Sequence, residues 1–472
     1  MDSLPNGDRS QDASPRPAAA MARTAGFSER TSSTLRAVHP RWLVTRALLL
    51  LLLVGLWTAA ASSHRGALPP GGPAGNQTAP TAPVELRSVT RPAQPVVRRS
   101  PTVVVTRSSP TTPAGRTAAQ PQSRRQPAAP APASRVRRFT LLASGDVLSH
   151  TSVVERARAY GAATHRAFDF RPMFAAIRPI VSAADLAVCH LETPLSPAGR
   201  QLSGYPRFNA PPQLAAAIRH AGYDACSVAS NHSMDRGAHG VAGTLAVLDR
   251  AGLRHAGMAR SPGEAEPRIL TVRGVRVALL SYTYGLNGFR LPSQRPWLVN
   301  LLNPDRVLAD ARAARRAGSQ FTVVLLHWGQ EYRSAPTQTQ RTLAARLLGD
   351  PAVDLIVGHH AHVVQPVRRI HGKWVAFGMG NSLSAQSAAC CPAPTQDGVL
   401  LQVAVVHKNG RYVVEAVRYT PTWVEHPSYR IRPVLQTLAG GSASPAMRAA
   451  LRISLHRTSA AIGRAARMAG GE

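Results

Sequence analysis

Six short polar motifs, each placed where an apolar run ends, constrain this chain more than any other feature. They are Gly145-Asp146 after LLAS, His190-Leu191-Glu192 after DLAVC, and Asn231-His232 after ACSVAS. His327-Trp328-Gly329 follows TVVLL, His359-His360-Ala361-His362 follows DLIVG, and Gly380-Asn381 follows VAFGM. Short β-branched and leucine-rich runs bounded by Gly, Asn and Asp read as buried strands. In open α/β architectures, ligands gather in the loops at the carboxyl ends of such strands. An Asp, a Glu, Asn and several His at strand ends form an inventory of metal ligands.

Strand and helix signals alternate from Arg138 onward. FTLLAS, DLAVC, ACSVAS, TVVLL and DLIVG read as strands. Helices are predicted over Pro172 to Ala183, over PPQLAAAIRHAG, over Gly240 to Ala251, over Pro304 to Ala317 and over Thr337 to Leu348. Hairpins are predicted at Arg273-Gly274, His371-Gly372 and Asn409-Gly410. Alternation with antiparallel hairpins added late predicts an α/β fold of two packed mixed β-sheets flanked by helices, or one mixed sheet.

The folded domain is expected over 138–425, followed by a basic tail, 426–472, with a helix from Ser444 as N-cap and Pro445 at its first position. Residues 1–42 are polar and aperiodic and read as disordered. The segment 43–62 is the one membrane-length apolar stretch, preceded by Arg36, Arg41 and Arg46, and reads equally as a signal-anchor or a cleaved signal. Either reading places the rest outside the cytoplasm. Residues 63–137 are Pro-, Ala-, Thr- and Arg-rich and read as an extended linker.

The net charge of +32 comes almost wholly from arginine; the only lysines are Lys373 and Lys408. Such a chain is drawn to anionic polymers and membrane surfaces. No nucleic-acid-binding motif accompanies the charge, which argues against specific nucleic-acid recognition. Cys189, Cys226, Cys390 and Cys391 have no CxxC spacing, so a thiolate zinc site is not expected. Cys189 and Cys226 lie in apolar runs and read as buried small hydrophobes.

Each polar motif has an ordinary alternative. Asp146 fits a turn, Glu192 a solvated loop, His327 a structural role and Asp235 a helix cap. Taken together they point to chemistry. Asp146, Glu192, Asn231, His327, His360 and His362 offer carboxylate, amide and imidazole ligands without thiolate, a set suited to Mn, Fe or Zn, as one or two ions. His360-x-His362 places two rings on one side of an extended loop by the two-residue period. By similarity to two-metal phosphoesterases, His232 is the candidate proton donor, with Asp235 either orienting it or capping the helix that follows Gly237. His190, Asn381 and Glu331 are expected around the pocket.

GDVLSH, ADLAVCHLETPLS, ASNHSMDRGAHG, LHWGQEY, VGHHAHVVQPV and GMGNSL resemble, in order and spacing, the motifs of the CapA family over roughly 139–385. The resemblance implies a calcineurin-like metallophosphoesterase fold and a role in capsule or poly-γ-glutamate synthesis. It further implies an anionic polymer as substrate, the membrane and capsule synthase subunits as partners, and a site outside the cytoplasm. Asp146, Glu192, Asn231, His327, His360 and His362 match the family's candidate ligands, and His232 its acid position. Three residues depart from the pattern. His190 stands where Asn is usual, Ser382 replaces an aromatic and is expected to open the pocket wall, and Leu148 occupies the His position of Asp-x-His. The last departure implies a site short of one ligand. Two other functions stay open: a metal-dependent phosphoesterase of a surface molecule, and a non-enzymatic export or scaffold component.

Overall fold

The computed structural model describes residues 138–391 and 394–470. The expectations for 1–42, 43–62 and 63–137 lie outside the described residues. Among the described residues, no helix is long and apolar enough to cross a membrane.

The apolar runs are strands, as their composition requires. β1 (Arg138–Val147), β2 (Leu186–Leu191), β3 (Ala225–Ser227) and β4 (Arg254–Ala256) pair in parallel in that order. β5 (Arg268–Val272) and β6 (Val275–Thr283) form the hairpin predicted at Arg273-Gly274, where both residues take positive φ. β6 then runs parallel to β7 (Phe321–His327), which pairs with β8 (Leu355–His359). β9 (Val367–Ile370) and β10 (Lys373–Ala376) close this second, six-stranded sheet. β11 (Asn381–Leu383) returns to β1, and β12 (Asp397–Lys408), β13 (Arg411–Glu425), β14 (Arg430–Pro433) and β15 (Arg467–Met468) extend the first sheet to nine strands.

Alternation along each strand sorts side chains into layers. Phe139, Leu141 and Ala143 of β1 meet Val277, Leu279, Val323, Leu325, Leu355 and Val357 between the sheets. Leu142 and Ala187, one residue out of phase, face helices through Leu214, Ile218, Val241 and Leu245. Val324, Leu326 and Ile356 likewise pack on Val307, Leu343 and Leu347. Strands buried on both faces read as continuous apolar runs, which is why the sequence shows no polar alternation in them. The mixed two-sheet sandwich with outer helices is therefore the fold.

Local signals set the helix ends. Asn303 caps Pro304–Arg316 by accepting from the Arg306 amide at 3.1 Å. Thr337 and Gln340 form a capping box on Gln338–Gly349. The helix predicted over Pro172 to Ala183 is instead two four-residue turns, Arg171–Phe174 and Arg178–Val181. Pro172 and Pro179 each sit in the first positions of a turn, where proline starts a helix but does not carry one through. The helix Thr151–Ala162 was not anticipated; no side chain caps it and it carries no acid in its first turn.

Two expectations need correction. The boundary at residue 425 falls inside the folded body. β14 pairs with β13, and the helix Pro445–Ile462 buries Ile462 in the core between the sheets. Arg457 on that helix makes a two-pronged ion pair with buried Asp397, at 2.9 and 3.0 Å. A basic composition concealed this apolar contact. Cys189 and Cys226 are not free hydrophobes but a disulfide between directly opposed residues of β2 and β3. The bridge closes a loop of 37 residues, so the Cys189→Ala/Cys226→Ala pair is expected to lose about 4 kcal/mol of stability. Urea unfolding with and without reductant measures it; equal midpoints for wild type and variant would refute the bridge.

Candidate metal centre

Five of the six motifs arrive at one place because parallel strands point their carboxyl ends the same way. Asp146 ends β1, His190 is in β2 with Glu192 just beyond it, and His327 and His359 end β7 and β8. His190 sits beside Asp146 in the β1–β2 register, and His327 beside His359 in the β7–β8 register. The sixth motif, Gly380-Asn381, joins through β11: a Cβ at Gly145 would run into the Gly380 carbonyl, so only glycine lets β1 approach so closely.

Asp146 is the hub of one half. Its Oδ1 accepts from His359 Nδ1 at 2.9 Å, its Oδ2 accepts from the His360 backbone N–H at 3.0 Å, and His362 Nδ1 lies 3.3 Å from Oδ2. Burial works to raise the Asp146 pKa, but the hydrogen bonds from His359 and His362 outweigh it and hold the group well below the usual carboxylate range. Asn231 and His327 anchor the other half, with Asn231 Oδ1 and His327 Nε2 2.9 Å apart. His327 Nδ1 meets His190 Nε2 at 2.9 Å, and His190 Nδ1 meets Ser227 Oγ at 2.8 Å. This relay fixes the His327 ring and directs Nε2 into the cluster.

Glu192 lies between the halves. Its Oε1 is 3.8 Å from both His327 Nε2 and His362 Nε2, and neither carboxylate oxygen has a hydrogen-bond partner although both are buried. His359 Nε2 and His360 Nδ1 are also buried without partners. Buried polar atoms are nearly always satisfied, so four orphans in one cluster point to a missing partner of positive charge. Donor atoms of Asp146, Glu192 and His362 lie within 4.8 Å of one another, as do those of His190, Glu192 and His327, and of Glu331, His360 and His362. The residues therefore fit a divalent ion, with Glu192 common to two of the groups.

Electrostatics agree with this fit. Burial pushes His190 and His327 well below their usual range and, with the His362 charge, brings His360 down to about 3, which keeps these imidazoles neutral. Burial raises Glu192 well above the carboxylate range. Burial lowers His362, but the Glu192 charge and the Asp146 hydrogen bond overcome it and bring it up to about 9. An ion held by Glu192 and His362 would have to displace the protons that burial and pairing keep on them, so metal affinity is expected to rise with pH up to about 9. The metal-free protein should move oppositely: a histidine raised on folding contributes stability below its unfolded pKa and loses it as pH rises through about 9. Competition with a chelator at pH 6, 7 and 8 measures the first trend, and a flat result would remove His362 from the ion's surroundings.

His232 stands at the edge of this cluster. Its Nδ1 pairs with Asp235 Oδ2 at 2.9 Å, and the same oxygen accepts the Phe208 amide at 2.8 Å. Asp235 thus orients His232 and does not cap the helix Gly237–Arg250, whose N-cap is Arg236. Both residues line a cavity of about 540 Å³, together with His150, Tyr205, Phe208, Tyr332 and His362. Glu331 also lines it. Asn381 lies deeper, its Oδ1 3.1 Å from His362 Nδ1 and its amide held by Gln386 and the Thr395 carbonyl.

Three details differ from expectation. His360 and His362 do not converge by the two-residue period, because both take positive φ (87° and 55°) in a turn, not an extended loop. Ser382 is buried in β11 and does not open the cavity. His190, expected around the pocket, does not line the cavity; it spends both ring nitrogens on Ser227 and His327 and so braces a neighbour. Sequence reasoning passed over His359, which holds Asp146 and stacks on His190 at 4.1 Å. The signal was available: VLLH and IVGH end alike, and aligning two parallel strands by those ends pairs His327 with His359. His150 was also passed over; it takes a cavity position two residues beyond Leu148, and burial brings its pKa to about 4.

Fold and cluster together define a two-sheet α/β sandwich with a strand-end site fit for a metal ion. The bacterial capsule synthesis protein PGA_cap family matches residues 140–386, more than half of the chain, and the chain belongs to that family. It is 27% identical over 280 residues to the PGA biosynthesis protein CapA of Bacillus subtilis (strain 168), covering 57% of this chain and 72% of the relative. It is 29% identical over 206 residues to the capsule biosynthesis protein CapA of Bacillus anthracis, covering 43% of this chain and 48% of the relative. It thus spans about half the length of that second relative. The solved calcineurin-like phosphoesterase YfkN from Bacillus subtilis overlays with a TM-score of 0.37 at 12% identity, covering 68% of this chain and 96% of its own. A likeness so loose carries no weight beside the strand order itself.

Proposed function

We propose that this protein takes part in capsule or poly-γ-glutamate biosynthesis by acting on an anionic polymer outside the cytoplasm, through a divalent metal at the strand-end cluster. The observation that carries the metal reading is Glu192, with two buried, partnerless oxygens among imidazoles. Asp146, Glu192, Asn231, His327, His360 and His362 would hold Mn, Fe or Zn, as one or two ions. A bound ion supplies Lewis acidity and charge stabilisation for a displacement at an amide or phosphoester.

The chain's own residues supply the rest. His190 and Asn381 aim His327 and His362. Asp235 accepts from His232 Nδ1, which leaves Nε2 to deliver a proton to a departing group. The cavity wall offers Arg207 and the rings of Tyr205, Phe208 and Tyr332 to a substrate chain. Family membership and the names of the relatives support the polymer. The buried Cys189–Cys226 bridge supports an oxidising compartment, either anchored through 43–62 or secreted.

The test uses the full chain, because β14 and the helix Pro445–Ile462 belong to the folded body. Purified protein is analysed for metal and then offered poly-γ-glutamate and a panel of phosphodiesters. Metal-dependent shortening or transfer of the polymer is expected. Turnover of phosphodiesters alone would replace the polymer reading with a phosphoesterase, and metal without turnover of either would leave a binding or export component.

A further inference from the structure

The opposite end of the sandwich carries a feature that the metal site does not use. Two cavities, of about 690 and 530 Å³, lie side by side around the β12–β13 hairpin and share Arg411 and Tyr412. β12 runs from Asp397, near the metal cluster, to Lys408, near these cavities, a span of about 35 Å at the usual rise per residue. The groove is therefore remote from the strand-end cluster.

Its lining is cationic beyond what its acids neutralise. Arg312 and Arg315 pair with Asp350 and Asp354. Arg316, Arg369, Lys373, Lys408 and Arg411 have no carboxylate partner among the described residues, against the single unpaired acid Glu415. Lys373 and Arg411 donate to main-chain carbonyls of Asp350, Val353 and Pro351, which fixes their positions without neutralising their charge. Both lysines of the chain fall here, in a protein that otherwise uses arginine. Cations lining a concave, low-dielectric wall focus a positive potential and gather anions.

We propose that this groove is a second binding site for a carboxylate polymer chain, separate from the metal cluster, that holds the polymer while its end is handled elsewhere. The inference rests on the polymer reading above. Concavity and charge decide the occupant: two adjoining cationic cavities admit an extended anionic chain, whereas a bilayer surface is met by a flat or convex patch.

The experiment measures binding of fluorescein-labelled poly-γ-glutamate to the full chain by anisotropy at about 0.1 M salt, where surface charges act over roughly 10 Å. The triple variant Arg316→Gln/Arg369→Gln/Lys408→Gln removes three exposed cations outside the metal site. Its dissociation constant is expected to rise at least about tenfold, with weaker salt dependence and unchanged metal content. Arg316→Glu alone, checked by an unchanged melting temperature, should move binding the same way. Equal binding by wild type and triple variant overturns the groove and leaves the polymer function standing. Failure of wild type to bind the polymer overturns both. A loss seen only with phosphatidylglycerol vesicles assigns the surface to lipid and overturns the proposal.

Discussion

Glu192→Met is expected to abolish metal binding and, in the same step, to stabilise the metal-free protein. Glu192 is buried, and neither of its oxygens has a hydrogen-bond partner. Within the cluster it is the carboxylate common to the Asp146–His362 and His190–His327 groups. Removing a residue that merely braces a ligand costs 10–100-fold in metal affinity, so losing a shared ligand should cost at least about 100-fold. Elemental analysis after dialysis reads this directly. Without metal, the same carboxyl group is a buried polar group with nothing to satisfy it. Replacing it by an apolar side chain of similar volume should raise stability by roughly 1–3 kcal/mol. The opposite signs are the test. A structural carboxylate would leave metal content unchanged on removal and lower the melting temperature. A ligand lowers metal content and raises the melting temperature of the metal-free form.

His232→Ala is expected to lower turnover by about 10²–10⁴-fold while the metal stays bound. The reason is position: His232 lines the cavity, is held by Asp235 at 2.9 Å, and is absent from the groups of donor atoms close enough to share an ion. Asp235→Asn keeps the shape but replaces an anionic acceptor, so a smaller loss and an altered pH profile are expected. The measurement is kcat on whichever substrate the wild type turns over, alongside metal content. Full activity of His232→Ala would exclude it as proton donor; loss of metal would make it a ligand instead.

Much of this site was legible because its signals are local. An apolar run followed by Gly-Asp, Asn-His or His-x-His announces a strand end with chemistry on it, and parallel pairing brings such ends together. Hairpins at Arg273-Gly274, His371-Gly372 and Asn409-Gly410 were equally plain, since the glycine in each accepts the positive φ that a tight turn needs. The break between Arg171–Phe174 and Arg178–Val181 was legible in Pro172 and Pro179 but was read through.

What the sequence alone determined is the main strands, their buried character and the side chains carried at their ends, because each follows from a few neighbouring residues; the short strands Arg254–Ala256, Asn381–Leu383, Arg430–Pro433 and Arg467–Met468 were not among them. Tertiary structure alone decided which of those side chains meet. It put Cys189 opposite Cys226, turned His359 onto Asp146, bent His360 and His362 inward through a left-handed turn, and folded the basic C-terminal segment onto the sandwich. Register between strands, the energy of distant packing and the field inside a closed cluster are properties of pairs far apart in the chain. No window of sequence contains them.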